Sequence, residues 1–307
     1  MPADSWLYPS PQGPLTSFPP ANNMRNGNEI SYSRSMMEYR NLEEKAKWLR
    51  KTLFEMFVAT EQGHPGSVFS QVDILTALFY GNVIRYTSGK PDDPDRDKII
   101  ISKGHATMGL YPIFADLAYF SEAELDQFGT PEGMLRIFGN ISIPGIDATS
   151  GSLGHGPGIA AGFALIAKKE RRDQRAFVVL SEGEQYEGSV WESALFAAHH
   201  ELDNLIVILD RNRKIILGDT EDLLPLDPVE KKWEAFGWKT VTVDGHSFES
   251  LMEGFSEIGK EPGKPLLILA NTVKGKGVSF MEHQPDWHYW QGVDEGQLTQ
   301  ARKELAL

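Results

Sequence analysis

The chain contains no cysteine. That absence excludes disulfide bridges, thiolate metal centres and a cysteine nucleophile. Positive charge is outweighed: 30 Lys and Arg stand against 43 Asp and Glu, a formal charge of −13. A surface of that sign repels phosphate backbones, which argues against nucleic acid as a partner. No apolar run approaches the ~18 residues a membrane span requires, and the first residues lack the basic-then-apolar order of a secretion signal. A cytoplasmic protein without a membrane partner is expected. Sustained periodicity is missing from residues 1–36, which are rich in Pro, Ser, Asn and Gly. An irregular arm is expected there, with Trp6, Leu7 and Tyr8 as the residues able to dock it. Against these absences, 41% of residues are hydrophobic, enough for the core of one large domain over residues 37–307.

From about Met37 the pattern is helical, with Leu42, Ala46, Leu49, Leu53 and Phe57 recurring at three to four residues. A second helix is expected near Gln71–Tyr80. Short apolar, β-branched runs follow at Lys98–Ile101, Ala176–Leu180, Leu205–Leu209, Lys239–Val243 and Pro265–Asn271. Helical patterns near Ala106–Ala118, Gly154–Arg171, Gly188–His200, Pro228–Phe236 and Phe248–Gly259 alternate with them. This alternation predicts an α/β fold, a mostly parallel sheet with helices on both faces. Ligands of such sheets bind beyond the carboxyl ends of the strands, so the loops after Ile101, Leu180, Leu209 and Asn271 are where chemistry is expected.

After Leu180 the chain reads Ser-Glu-Gly-Glu-Gln-Tyr-Glu-Gly, and thirty residues past Glu182 comes Asp210-Arg211-Asn212. One strand–helix–strand unit spans that distance and sets the two strand ends side by side. A carboxylate from one and a carboxamide from the other suit a hard cation such as Mg²⁺, which takes oxygen ligands alongside phosphate oxygens. Gly183 permits close approach of backbone N–H groups to a diphosphate, and the helix N-terminus that follows favours anions. The bland alternative is an ordinary polar strand–turn–helix.

These segments resemble the thiamine diphosphate motif of transketolases, which usually begins Gly-Asp-Gly-Glu and ends in an Asn-containing triplet. The resemblance implies a thiamine-diphosphate-binding fold with thiamine diphosphate and Mg²⁺ as cofactors. Glu182 then takes the place of a metal-binding Asp, Asn212 of the second ligand and the Lys214 carbonyl of the third. Gly183 and Glu184 fall to the cofactor site, and Glu187 to its inter-subunit side. Gln62-Gly-His-Pro-Gly-Ser67 and Ser102-Lys-Gly-His105 match two further family segments. They imply that His64 and His105 face the cofactor and the donor sugar, where imidazoles can move protons at neutral pH. Ser67 and Lys103 are expected to line the same site. Lys274, in Thr-Val-Lys-Gly-Lys-Gly, and His288, in a Trp-His pair fourteen residues on, match segments that approach the diphosphate. Pro144–Gly156 matches a Gly-rich segment, which implies that Gly154, His155 and Gly156 offer backbone donors there.

Three departures stand out. Glu182 replaces Asp, His155 replaces a usual Gln, and Arg136-Ile-Phe-Gly-Asn140 replaces a Gly-His-Pro that contacts the donor. The resemblance covers residues 37–295, about half of a whole transketolase. It implies a partner chain carrying the pyrimidine-binding and C-terminal domains, in an α₂β₂ assembly that moves a two-carbon ketol unit from a ketose to an aldehyde. Helices around Trp191 and Phe196 are interface candidates, although core packing explains them equally. Two other readings remain open: the α subunit of a 2-oxoacid dehydrogenase-type thiamine enzyme, and a non-catalytic binding subunit.

Overall fold

The computed structural model describes residues 28–306, with side chains from Glu38 onward. The expected arm and its Trp6, Leu7 and Tyr8 therefore lie outside the described residues. Ten α-helices are described: α1 (Asn28–Thr60), α2 (Pro65–Ser70), α3 (Val72–Tyr80), α4 (Tyr111–Asp116), α5 (Gly156–Lys169), α6 (Gly188–His199), α7 (Thr220–Leu223), α8 (Val229–Ala235), α9 (Phe248–Phe255) and α10 (Glu295–Glu304). The first helix, expected from about Met37, begins at Asn28.

Strands β1 (Lys98–Ile101), β2 (Ala176–Ser181), β3 (Leu205–Arg211), β6 (Lys239–Asp244) and β7 (Leu266–Asn271) form one sheet in the order β1-β2-β3-β7-β6, every pairing parallel. A separate antiparallel pair, β4 (Lys214–Ile215) with β5 (Gly218–Asp219), makes a small hairpin after β3. Successive side chains of a strand point to opposite faces. On β3, Ile206 and Ile208 join a core that includes buried residues of α1, α3, α4 and α9, whereas Val207 and Leu209 join a second core with α5, α6 and α8. Both faces are covered at β1, β2, β3 and β7, which is why these strands read as continuous apolar runs, whereas edge strand β6 alternates threonine and valine. Ala160, Ala161 and Ala164 of α5, with Ala194 and Ala197 of α6, supply small side chains where these helices meet the second core.

Strand limits agree with expectation to within one or two residues. The helix expected over Ala106–Ala118 is a 3-10 turn, Gly104–Leu110, followed by α4. Pro112 accounts for the break, because its ring tolerates the first turn of a helix but not the interior. The register sets Ser181 beside Asp210 and Arg211 beside Asn271, so the loops after β2, β3 and β7 share one rim.

Candidate active site

Three histidines from three distant segments meet above that rim. His64 precedes α2, His105 follows β1, and His288 ends a 3-10 turn, Pro285–His288. Their ring centroids lie 4.9 Å (His64 to His105), 5.4 Å (His64 to His288) and 5.3 Å (His105 to His288) apart. His105 Nε2 is 3.1 Å from Ser67 Oγ. Nδ1 of His64 is buried without a hydrogen-bond partner. Tyr289 and Phe138, both exposed, flank the His64 ring at 4.9 and 6.4 Å. Burial, with the nearby Lys274 charge, pushes His64 down to about 4 and His288 to about 3; burial first, then the neighbouring His64 and His288 and the Lys103 and Lys274 charges, lowers His105 as well. All three imidazoles are therefore neutral near pH 7, able to accept a proton on one nitrogen and donate from the other.

Lys274 rises from the loop after β7 and is 1% exposed. Its Nζ lies 3.2 Å from His288 Nδ1, and among the described residues it forms no ion pair with a carboxylate. Burial and the Lys103 charge lower it to about 8. A buried ammonium without a directly paired carboxylate is costly, and the more distant Asp210 offsets this only in part. Gly66 lets this loop close over α2, since a Cβ there would stand 2.9 Å from the Trp287 carbonyl oxygen and 3.0 Å from Lys274 Cε. The loop is braced from behind by a chain that sequence reasoning missed. Val273 N–H donates to His246 Nε2 (2.8 Å), His246 Nδ1 meets Asp73 (2.7 Å), and Arg50 binds Asp73 through both terminal nitrogens.

Lys103, expected to line the site, lies beneath it. It is fully buried, ion-paired with Asp210, and donates to the Ser67 carbonyl at 2.8 Å. Asp210 also accepts from the hydroxyls of Ser70 (2.5 Å) and Thr272. Ser70 in turn sits 3.4 Å from Asn212 Nδ2. One buried polar network thus connects the floor under the histidines to the loop expected to bind metal.

In that loop Asn212 is buried, and its Oδ1 accepts from the Lys214 amide at 3.2 Å. Glu182 is 1% exposed, and both its oxygens are engaged: Oε2 accepts from Arg213 N–H (2.6 Å) and Oε1 from Thr220 Oγ1 (2.9 Å). Glu184 is likewise committed. It accepts from Ser102 Oγ (2.5 Å), Gly154 N–H (3.0 Å) and both donors of Ser181 (2.7 and 2.9 Å). Burial outweighs these bonds and holds the Glu184 carboxyl above its ordinary range. The amides of Gly154 and Gly156, expected to face an anion, donate instead to Glu184 and to Ser102 Oγ (3.2 Å). Gly154 has φ +80°, and a Cβ there would meet Glu187 and Ser189 at 2.6 Å, so its glycine serves the turn and the packing onto α6. His155 and Glu187 are exposed at the edge of this turn. Trp191 faces the core, 5.6 Å from both Trp233 and Phe236, while Phe196 stays exposed.

The donor set fits a diphosphate with a hard cation at Lys274 and Asn212, and it fits least at Glu182. Residues 43–306 match the family model described as transketolase, thiamine diphosphate binding domain. The chain is 36% identical to an apulose-4-phosphate transketolase subunit from Phocaeicola vulgatus, over 88% of this chain and 95% of that one. It is 36% identical to the 6-deoxy-6-sulfo-D-fructose transketolase subunit SqwG of a Clostridium species, over 78% and 88%. Human transketolase is 38% identical, but the match spans 39% of its length. The crystal structure of transketolase from Campylobacter jejuni superposes with a TM-score of 0.79 at 28% identity, over 87% of this chain and 43% of that one.

Proposed function

The chain belongs to the transketolase family, and from that premise we propose that it is the diphosphate-binding subunit of a two-component transketolase. The observation that carries the reading is the buried Lys274 ammonium, without a carboxylate, against three neutral imidazoles at the strand ends. A diphosphate supplies the missing negative charge. Lys274 and Asn212 would hold that group, and Asn212 with the Lys214 carbonyl would hold a divalent cation such as Mg²⁺. Thiamine diphosphate, when bound, supplies the carbon nucleophile that carries the two-carbon unit from a ketose to an aldehyde. His64, His105 and His288 accept and return protons at the hydroxyl and carbonyl oxygens of the two substrates. Ser67 orients His105.

A second chain completes the site. The buried carboxylates of the rim, Glu182, Glu184 and Asp210, are all engaged by protein donors, so an acid near the histidines has to come from elsewhere. The relatives that this chain covers almost end to end are named as subunits. Ile159 and Ile166 of α5 and Leu195 and Phe196 of α6 are exposed on neighbouring helices, a surface suited to that partner in an α₂β₂ assembly. Exposed Glu187 stands at the start of α6, where it can reach the partner's side of the site. Among the described residues no helix is long and apolar enough to cross a membrane, and the reading places the assembly in the cytoplasm.

The test is calorimetric titration of thiamine diphosphate and Mg²⁺ into this chain with its co-expressed partner, compared with Asn212→Ala. Metal-dependent binding that requires both chains and is lost in the variant is expected, followed by ketol transfer between a ketose and an aldehyde. Absence of binding in every combination sinks the reading.

A further inference from the structure

We propose that Glu182 acts on the cation site as a positioning residue, closing the hairpin that carries Lys214, and is not itself a ligand of the metal. The proposal rests on the reading of Asn212 and Lys214 as the cation-binding loop. Glu182 Oε2 accepts the N–H of Arg213 at 2.6 Å and Oε1 the hydroxyl of Thr220 at 2.9 Å. Those two residues flank the β4–β5 hairpin, and Thr220 N–H also donates to the Arg213 carbonyl at 3.1 Å. A single carboxylate therefore ties both ends of the hairpin to the end of β2.

Three further observations favour this role over ligation. Arg213 has φ +59°, a conformation that costs a residue with a side chain about 1–2 kcal/mol. A charge-assisted bond to its N–H offsets that cost. Next, Arg211 is 3% exposed, its Nε lies 3.6 Å from Glu182 Oε1, and that Nε has no hydrogen-bond partner. Turning the carboxylate toward a metal would strand the buried Thr220 hydroxyl and this buried Nε, and would break the bond to the Arg213 amide. Lastly, a Cβ on Gly183 would stand 2.8 Å from Ile215 Cγ2, so the hairpin is packed directly onto the Glu182 turn. The extra methylene of Glu over Asp adds ~1.5 Å of reach, which serves the span from β2 to both hairpin donors. Asn212 Oδ1 and the Lys214 carbonyl are then the chain's direct ligands, and Glu182 fixes the second of them through the hairpin.

The experiment is a double-mutant cycle on the assembly with its partner chain, reading the Mg²⁺ dependence of thiamine diphosphate binding by calorimetry. Glu182→Gln and Thr220→Val, both close in shape to the residues they replace, are each expected to weaken Mg²⁺ about 10- to 100-fold. The double variant should lose little more than the worse single one, because both act through one hairpin. Hydrogen exchange at the Arg213 amide should stay slow when cofactor and metal are loaded. Loss of all metal response in Glu182→Gln with Thr220→Val unchanged overturns the proposal, as does faster exchange at Arg213 on loading. Failure of the unsubstituted assembly to bind overturns the functional reading as well. Binding by that assembly with additive effects in the cycle removes only the role given to Glu182.

Discussion

Lys103→Met is the sharpest test of the buried layer under the histidines. Lys103 and Asp210 are ion-paired with side chains 1% and 0% exposed, and Ser70 and Thr272 also donate to Asp210. Removing the ammonium leaves a buried carboxylate with two hydroxyls and no direct ion-pair partner. Breaking such a pair by deleting one partner costs about 3–5 kcal/mol. For a chain of this size that is a fall in melting temperature of roughly 6–15 °C. Differential scanning calorimetry at fixed protein concentration measures it. Burial alone would raise the Asp210 carboxyl, but Lys103 and the hydroxyls outweigh burial and hold it below the ordinary range. A depressed carboxyl contributes stability that is complete above its unfolded pKa of ~3.9 and is lost as pH falls through the folded value. In Lys103→Met only the Ser70 and Thr272 hydroxyls oppose burial, and Asp210 protonates more readily. The gap between the two proteins should therefore be widest near pH 7 and close in acid. Adding Asp210→Asn to the variant should recover much of the loss, since both buried charges are then gone. A loss under ~1 kcal/mol, as an exposed pair gives, or a gap independent of pH refutes the reasoning.

His246→Leu removes the acceptor of the Val273 amide and should cost about 1–3 kcal/mol in urea unfolding. Because the loop that loosens carries Lys274, thiamine diphosphate affinity of the assembly should fall as well; an unchanged affinity would show that the brace does not reach the site. Leu195→Asp with Phe196→Asp places two charges on the exposed face of α6. It should leave the melting temperature of the isolated chain within about 3 °C, since each surface change usually stays within ±0.5 kcal/mol. Association with the partner, read by analytical ultracentrifugation, should weaken at least ~tenfold, and full assembly would mean that the partner docks elsewhere.

The sheet was legible because four of its five strands are buried on both faces and so appear as apolar, β-branched runs, such as residues 99–101 and 206–209. The carboxyl ends of those strands point to the site without any side-chain geometry. What local pattern could not show is which polar groups serve the ligand and which serve the fold. Lys103 carries a family motif, and its partner Asp210, which holds it beneath the histidines, lies 107 residues away. Glu184, Gly154 and Gly156 likewise have hydrogen bonds that close on Ser102 and on one another. The His246–Asp73 brace joins positions 173 residues apart, and no local spacing signals it. Trp191 could be an interface or a core residue by its helical pattern, and Trp233 and Phe236 decide for the core. Long-range partners, absent from any local pattern, made each of these decisions.

The protonation state of the three imidazoles follows from the same accounting and gives a last prediction. Burial first, then the charge on Lys274, lowers both His64 and His288, and His64 lowers His288 a little further. Lys274→Met keeps the apolar stem of the side chain and removes the second cause alone. Both imidazoles should then titrate above about 4 and about 3, their values in the intact chain, yet remain below the ordinary 6.5 because burial persists. Each unit of movement corresponds to about 1.4 kcal/mol of charge interaction withdrawn. Imidazole carbon-bound proton shifts followed by NMR across pH 3–8 report it directly on the isolated chain. If neither histidine moves, Lys274 is uncharged or screened in this site, and it no longer stands as the buried cation awaiting a diphosphate. If both rise, an anion that neutralises Lys274 should act in the same direction, drawing the imidazoles toward the pH range in which they exchange protons with a substrate.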